Sequence, residues 1–167
     1  LRLSGLLGGE RELLVLGVDL RSLSLEELER VRPSAERVEM LTEMLGHLAA
    51  LEEFAVLATC NRFELYAWTR PDEPLVSAAL SILGLTPYAS RVYRKTGEDV
   101  LLHAANVVAG HYSQVACETQ ITGQWKAAFQ GAFRQSVAGV HLQNLHDRAI
   151  RLSRKIRSLQ GGREDGL

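Results

Sequence analysis

An α+β fold is what this sequence predicts. Three observations carry the prediction: a β-rich apolar run near the start, two adjoining strand-like runs around residue 60, and helical apolar periodicity between and after them. "ELLVLGVDL" (12–20) reads as a first strand stopped by Asp19. "SLSLEELERVR" (22–32) opens with a serine cap and glutamates in its first turn, and Pro33 ends it. A longer helix follows from Ser34 to about Leu51, where Val38, Leu41, Leu45 and Leu48 make one apolar face. "FAVLATC" (54–60) is a compact apolar strand. "RFELYAW" (62–68) is a second, in which Phe63, Leu65 and Ala67 alternate with Glu64, Tyr66 and Trp68. "TRPDEP" (69–74) is a loop, 75–84 a short helix stopped by Gly84, and "RVYRKT" (91–96) a polar edge strand.

The order β-α-β-β-α-β is the split βαβ, ferredoxin-like arrangement. Helices follow: 98–110, then one striped by Trp125, Ala128, Phe129, Ala132 and Phe133, then 139–159. In the last, Leu142, Leu145, Ala149, Leu152, Ile156 and Leu159 keep strict 3-4-3-4-3 spacing. The expected organisation is a ferredoxin-like α+β subdomain over 1–97, a helical subdomain over 98–160 ending in a long helix, and a disordered tail over 161–167. The narrow seam over 142–159 suits a partner helix, which predicts a homodimer or another helix-mediated partner there.

Composition narrows the class. The 167 residues are 46% hydrophobic and 23% charged, ordinary for a soluble globular chain, and the net charge of -1 excludes a global basic field for nucleic acid. Any RNA contact has to come from a local patch. Two cysteines make no disulfide framework and suit a reducing compartment. No apolar run approaches the roughly 20 residues of a membrane helix, and "LRLSGLLGGE" lacks the order of a signal peptide. A cytoplasmic protein without a membrane partner is expected. His141 and His146 do not share a helix face and there is no Cys-x-x-Cys, so no metal site is expected.

Some residues carry chemistry and a bland alternative together. Cys60 is either a small buried hydrophobe or a nucleophile whose thiolate is favoured by Arg62 two positions on. Arg62 is either a bidentate carboxylate clamp or a surface arginine paired with Glu64 or an edge carboxylate. His103, on the apolar side of its helix, is either a core histidine or an acid–base group. "SQVACETQITGQ" (113–124), with Ser113, Glu118, Gln120 and Gln124, is either a loop feeding a helix or the polar wall of a small-molecule pocket. "RAIRLSRKIR" (148–157) is either a solvated helix end or a strip for tRNA phosphates.

Together these stretches resemble the N-terminal catalytic domain of glutamyl-tRNA reductase. Its Thr-Cys-Asn-Arg hallmark, followed by an acidic residue and tyrosine, stands here as Thr59-Cys60-Asn61-Arg62-Phe63-Glu64-Leu65-Tyr66. The family's histidine, glycine and serine correspond to His103, Gly110 and Ser113, and its Gly-Glu-Pro-Gln-Ile-Leu-Gly-Gln stretch to Cys117 through Gln124. The early Asn-His-x-Thr motif reads Asp19-Leu20-Arg21-Ser22 here. The resemblance implies an enzyme of tetrapyrrole (haem) biosynthesis. Cys60 would take glutamate from glutamyl-tRNA as a thioester, with His103 in proton transfer. Thr59, Arg62, Ser113, Glu118, Gln120 and Gln124 would contact the substrate. NADPH would then reduce the thioester to glutamate-1-semialdehyde, on a domain that this chain lacks. A non-catalytic binding or regulatory module of the same ancestry is the competing expectation.

Overall fold

The structure, a computed structural model, describes residues 9–111 and 120–161. Four strands, β1 (Glu12–Asp19), β2 (Leu51–Ala58), β3 (Arg62–Thr69) and β4 (Tyr93–Thr96), form one sheet in the order β2-β3-β1-β4, every neighbouring pair antiparallel. This is the expected ferredoxin-like order. The first crossover holds α1 (Leu25–Val31) and α2 (Ala35–Gly46), and the second holds α3 (Glu73–Leu83) and a 3₁₀ turn at Thr86–Arg91. Ser24 caps α1 through a reciprocal box with Glu27, Ser34 caps α2 and Asp72 caps α3. Gly84, at a φ of 73°, ends α3 in the left-handed region that a side chain would resist.

Leu14, Leu16, Val18, Phe63 and Leu65 point to one sheet face, against Leu28, Leu41, Leu45, Leu80 and Leu83. Helices α4 (Glu98–Val108), α5 (Ile121–Arg134) and α6 (Val140–Gly161) cover the opposite face. There Val15, Ala55, Leu57 and Tyr66 meet Val100, Ala104, Trp125, Phe129 and Leu142. The sheet is therefore the middle of three layers. Its strands do not show the half-polar alternation expected of β3, because Glu64 and Tyr66 are buried as deeply as Phe63 and Leu65.

Two boundaries depart from expectation. Helix α2 stops at Gly46 instead of continuing to Leu51, and Leu51 already pairs with Thr69 in the sheet. Apolar spacing alone cannot separate a continuing helix face from the first residue of a buried strand. Strand β2 accordingly ends at Ala58, and Cys60 lies in the β2–β3 turn, not at a strand end. The seam of α6 is also spent differently. Leu142, Leu145 and Ala149 are buried in the protein's own core, and only towards the far end does it reach solvent, with Leu159 75% exposed. That half of the seam is no docking surface. The Glu53 carboxylate anchors the start of α6, accepting from the backbone N–H groups of Gly139 (2.9 Å), His141 (3.3 Å) and Leu142 (2.9 Å) and contacting His141 Nδ1 at 2.7 Å. Gly161 closes α6, and the remainder of the expected tail lies outside the described residues. Among the described residues no helix is long and apolar enough to cross a membrane.

Candidate active site

Antiparallel pairing builds the site. Asp19, the last residue of β1, lies opposite Arg62, the first of β3, and Gly17 lies opposite both Glu64 and Tyr93. A Cβ on Gly17 would stand 2.7 Å from Glu64 Cγ and 2.9 Å from the Tyr93 hydroxyl. Its missing side chain is what admits a carboxylate between the strands and α4.

Glu64 is the centre of a buried cluster. Its Oε1 accepts from the Tyr93 hydroxyl (2.5 Å) and Arg62 Nη1 (3.3 Å) and meets His103 Nε2 at 2.6 Å. Its Oε2 accepts from the Tyr66 hydroxyl at 2.7 Å. The Tyr66 ring packs edge-on against Trp125, with centroids 5.0 Å apart, so α5 holds that phenol in place. Burial works to raise the Glu64 carboxyl pKa. The His103 hydrogen bond and charge, the Arg62 charge and the Tyr93 hydrogen bond outweigh it and hold the group at about 2. Burial likewise works against the Arg62 charge, but the Glu64 carboxylate leads the groups that raise its pKa above its ordinary value. Both phenols are pushed well above the usual tyrosine range, first by burial and then by Glu64.

Arg62 is 1% exposed, so it is neither a surface arginine nor one facing bulk water. Its Nη1 faces Glu64 and, at 3.7 Å, Asp19 Oδ2. Its Nε and Nη2 are buried with no hydrogen-bond partner among the described residues. Those two atoms form the edge of a guanidinium that grips a carboxylate in two parallel bonds. Asp19 is itself held by Arg21, whose Nη2 lies 2.6 Å from Oδ2. Asp19, Arg21, Tyr93 and His103 line a cavity of about 430 Å³.

Cys60 sits at the tip of the β2–β3 hairpin and is partly exposed, between the buried Thr59 and Asn61. Thr59 N–H donates to Arg62 O (2.9 Å), Asn61 N–H to Thr59 Oγ1 (3.2 Å), and Leu20 N–H to Asn61 O (3.3 Å). The hairpin is thereby tied to the end of β1, beside Asp19. His103 comes to the same cluster from α4, whose Val100, Ala104 and Val107 are buried in the core on this side of the sheet. Gln124 lines a separate cleft of about 320 Å³ along β2, and Gln120 is exposed before α5. Ser113 and Glu118 lie outside the described residues. Among the described residues no three His, Cys, Asp or Glu side chains could share a metal ion.

In the sequence Glu64 is legible as a partner for Arg62 and as the acidic residue of the Thr-Cys-Asn-Arg motif, but not as the centre of the site, and Tyr93 is not legible as part of it. The available signal was Gly17, a glycine inside a strand, which marks a close approach by another group. Without the register, nothing showed that Glu64 and Tyr93 were the groups approaching.

Fold and site thus define a three-layer domain with a Thr-Cys-Asn-Arg hairpin beside a buried arginine–glutamate–histidine cluster. Residues 16–159 match the family described as "Glutamyl-tRNAGlu reductase, N-terminal domain", and the chain belongs to that family. It is 31% identical over 153 residues to the glutamyl-tRNA reductase of Aquifex aeolicus, covering 90% of this chain and 38% of that protein. It is 34% identical over 158 residues to that of Helicobacter pylori (strain HPAG1), covering 88% and 35%. The solved glutamyl-tRNA reductase from Methanopyrus kandleri superposes with a TM-score of 0.68 at 27% identity, over 87% of this chain and 34% of that one. The chain therefore spans little more than a third of the length of these relatives.

Proposed function

We propose that this domain performs the acyl-transfer half of glutamyl-tRNA reduction, an entry step of tetrapyrrole biosynthesis. The observation that carries the reading is the partly exposed Cys60 on a hairpin whose next charged residue, Arg62, keeps a buried two-donor edge unoccupied among the described residues. The Cys60 thiolate attacks the ester carbonyl carbon of the glutamyl group. The bond to the terminal ribose oxygen breaks, and that oxygen leaves with a proton. A carbon–sulfur bond replaces it, as in other covalent catalysis that splits one hard step into two. The Arg62 edge holds a glutamate carboxylate, and Thr59 shapes the turn. His103, steadied at Nε2 by Glu64, is the group suited to move the proton. Ser113, Glu118, Gln120 and Gln124 are assigned to the remaining substrate contacts. NADPH would supply the hydride that releases glutamate-1-semialdehyde. The sequence holds no Gly-x-Gly-x-x-Gly run, and among the described residues no strand leads into a glycine-rich turn, so its residues do not fit that cofactor, whose binding is assigned to a separate domain of a longer cytoplasmic enzyme.

The test is incubation with radiolabelled glutamyl-tRNA. A hydroxylamine-labile glutamyl adduct should form on the protein and be absent from Cys60→Ala; an adduct surviving that substitution refutes the reading. Asp19 favours a second reading, a non-catalytic module, because it places a second carboxylate against Arg62. In that case no adduct forms and Cys60 alkylates with the pH profile of an ordinary thiol near pH 8.5.

A further inference from the structure

The cations of α6 are unevenly placed. The stretch 148–161 carries Arg148, Arg151, Arg154, Lys155 and Arg157, five of the chain's 19 lysines and arginines and none of its 20 acidic residues. Two are engaged by the protein itself: Arg148 lies 3.7 Å from Glu98, and Arg157 donates to Val108 O and Thr122 Oγ1. The side chains of Arg151, Arg154 and Lys155 are exposed and have no ion pair or hydrogen bond among the described residues. At spacings of three and four they share one face, with neighbouring Cβ atoms about 5–6 Å apart. Like charges so placed repel. The helix dipole does not explain them, since its pull fades beyond the last turn and the last turn of α6 holds no basic residue.

Their position follows from the packing of α4 against α6. Gly97 N–H bonds to Leu13 O at one end of β1, and six residues later His103 reaches Glu64, opposite Gly17. Helix α4 therefore runs towards the Asp19 end of the sheet, where the Cys60 hairpin is tied. Helix α6 lies parallel to it, with Arg148 at Glu98 and Arg157 at Val108. The basic face thus ends on the same side of the molecule as Cys60. Leu142, Leu145 and Ala149 spend most of the apolar side of α6 on the core, and beside the basic face Leu159, 75% exposed, is a single apolar side chain, too small an area to seat a helix in a lipid interface.

We propose that Arg151, Arg154 and Lys155 form a contact surface for the phosphate backbone of an RNA, lying on the same side as the reactive hairpin. The choice of RNA as the polyanion rests on the function proposed above; the surface itself does not.

The test is binding of an uncharged tRNA transcript, followed by fluorescence anisotropy between 50 and 200 mM salt, to the wild-type protein and to the combined variant Arg151→Gln, Arg154→Gln, Lys155→Gln. Three lost phosphate contacts should flatten the slope of log K against log salt by about 2 to 3. Over that salt range the wild type then loses about 16- to 64-fold more affinity than the variant. Arg151→Gln alone should remove about one third of the effect, and Arg30→Gln, on the exposed side of α1, should change nothing. Equal slopes for wild type and combined variant overturn the proposal. Tighter binding to phosphatidylglycerol vesicles than to RNA overturns it in favour of a membrane surface. Acylation of wild-type Cys60 by a small glutamyl ester reads the function separately: its failure would sink that reading and leave the salt slope standing.

Discussion

Glu64→Gln isolates what the buried cluster contributes. The substitution keeps the size of the side chain and removes its charge. Arg62, 1% exposed, is then left with Asp19 at 3.7 Å as its nearest anion. Removing one member of a buried ion pair typically costs about 3–5 kcal/mol, because the other charge stays buried without compensation. The carboxyl pKa leads to a similar figure. It falls from an ordinary 4.5 to about 2 on folding, and a drop of that size corresponds to about 3 kcal/mol at neutral pH. Because the folded pKa is the lower one, this stabilisation is complete above pH 4.5 and disappears as pH falls towards 2. Urea unfolding followed by the fluorescence of Trp125 and Trp68 measures both effects. Glu64→Gln should lower stability by about 3–5 kcal/mol at pH 7, a drop in Tm of about 6–20 °C for a chain of this size. The difference from wild type should shrink between pH 4.5 and 2. For comparison, Glu26→Gln, which breaks only the exposed pair with Arg30 on α1, should cost no more than about 0.5 kcal/mol. If Glu64→Gln costs less than about 1 kcal/mol, the cluster is not held by this charge and the reasoning fails.

Two further outcomes follow from the same packing. Gly17→Ala brings a methyl to 2.7 Å from Glu64 Cγ and 3.0 Å from the Phe63 carbonyl, where backbone cannot yield. It should cost about 1–3 kcal/mol, read by thermal melting, and perturb the near-ultraviolet circular dichroism of Tyr93 and Tyr66. Glu53→Gln weakens the anchoring of α6. Burial works to raise the Glu53 pKa, but the bonds from Leu142, His141 and Gly139 outweigh it and lower it. The loss should be about 1 kcal/mol at pH 7, and it should narrow as pH falls below the ordinary carboxylate range; hydrogen exchange should show it first at Gly139–Leu142.

How far the chain could be understood before folding is clearest along β3. The run Arg62 to Trp68 was legible as a strand, and its order among helices and strands was enough for the ferredoxin-like topology. The hairpin cysteine, the arginine two residues later and the histidine on an apolar helix face were all candidates on chemistry alone. The arginine's surroundings were not legible. A strand residue shows its alternate neighbours in sequence, but what covers each face is set by residues far along the chain. Here α4 to α6 cover the face that carries Arg62, Glu64 and Tyr66.

The sequence by itself determined the element types, the sheet order they imply and the reactive residues that mark the family, because these depend on local periodicity and short motifs. Tertiary structure alone decided that Glu64 would be the hub, that Asp19 and Tyr93 would join it, and that α6 would turn half its seam inward and its cations outward. The physical reason is distance in the chain: Gly17, Glu64, Tyr93 and His103 belong to four elements, and only pairing register and helix packing bring the Glu64 carboxylate, in the room that Gly17 leaves, within bonding reach of Tyr93 and His103.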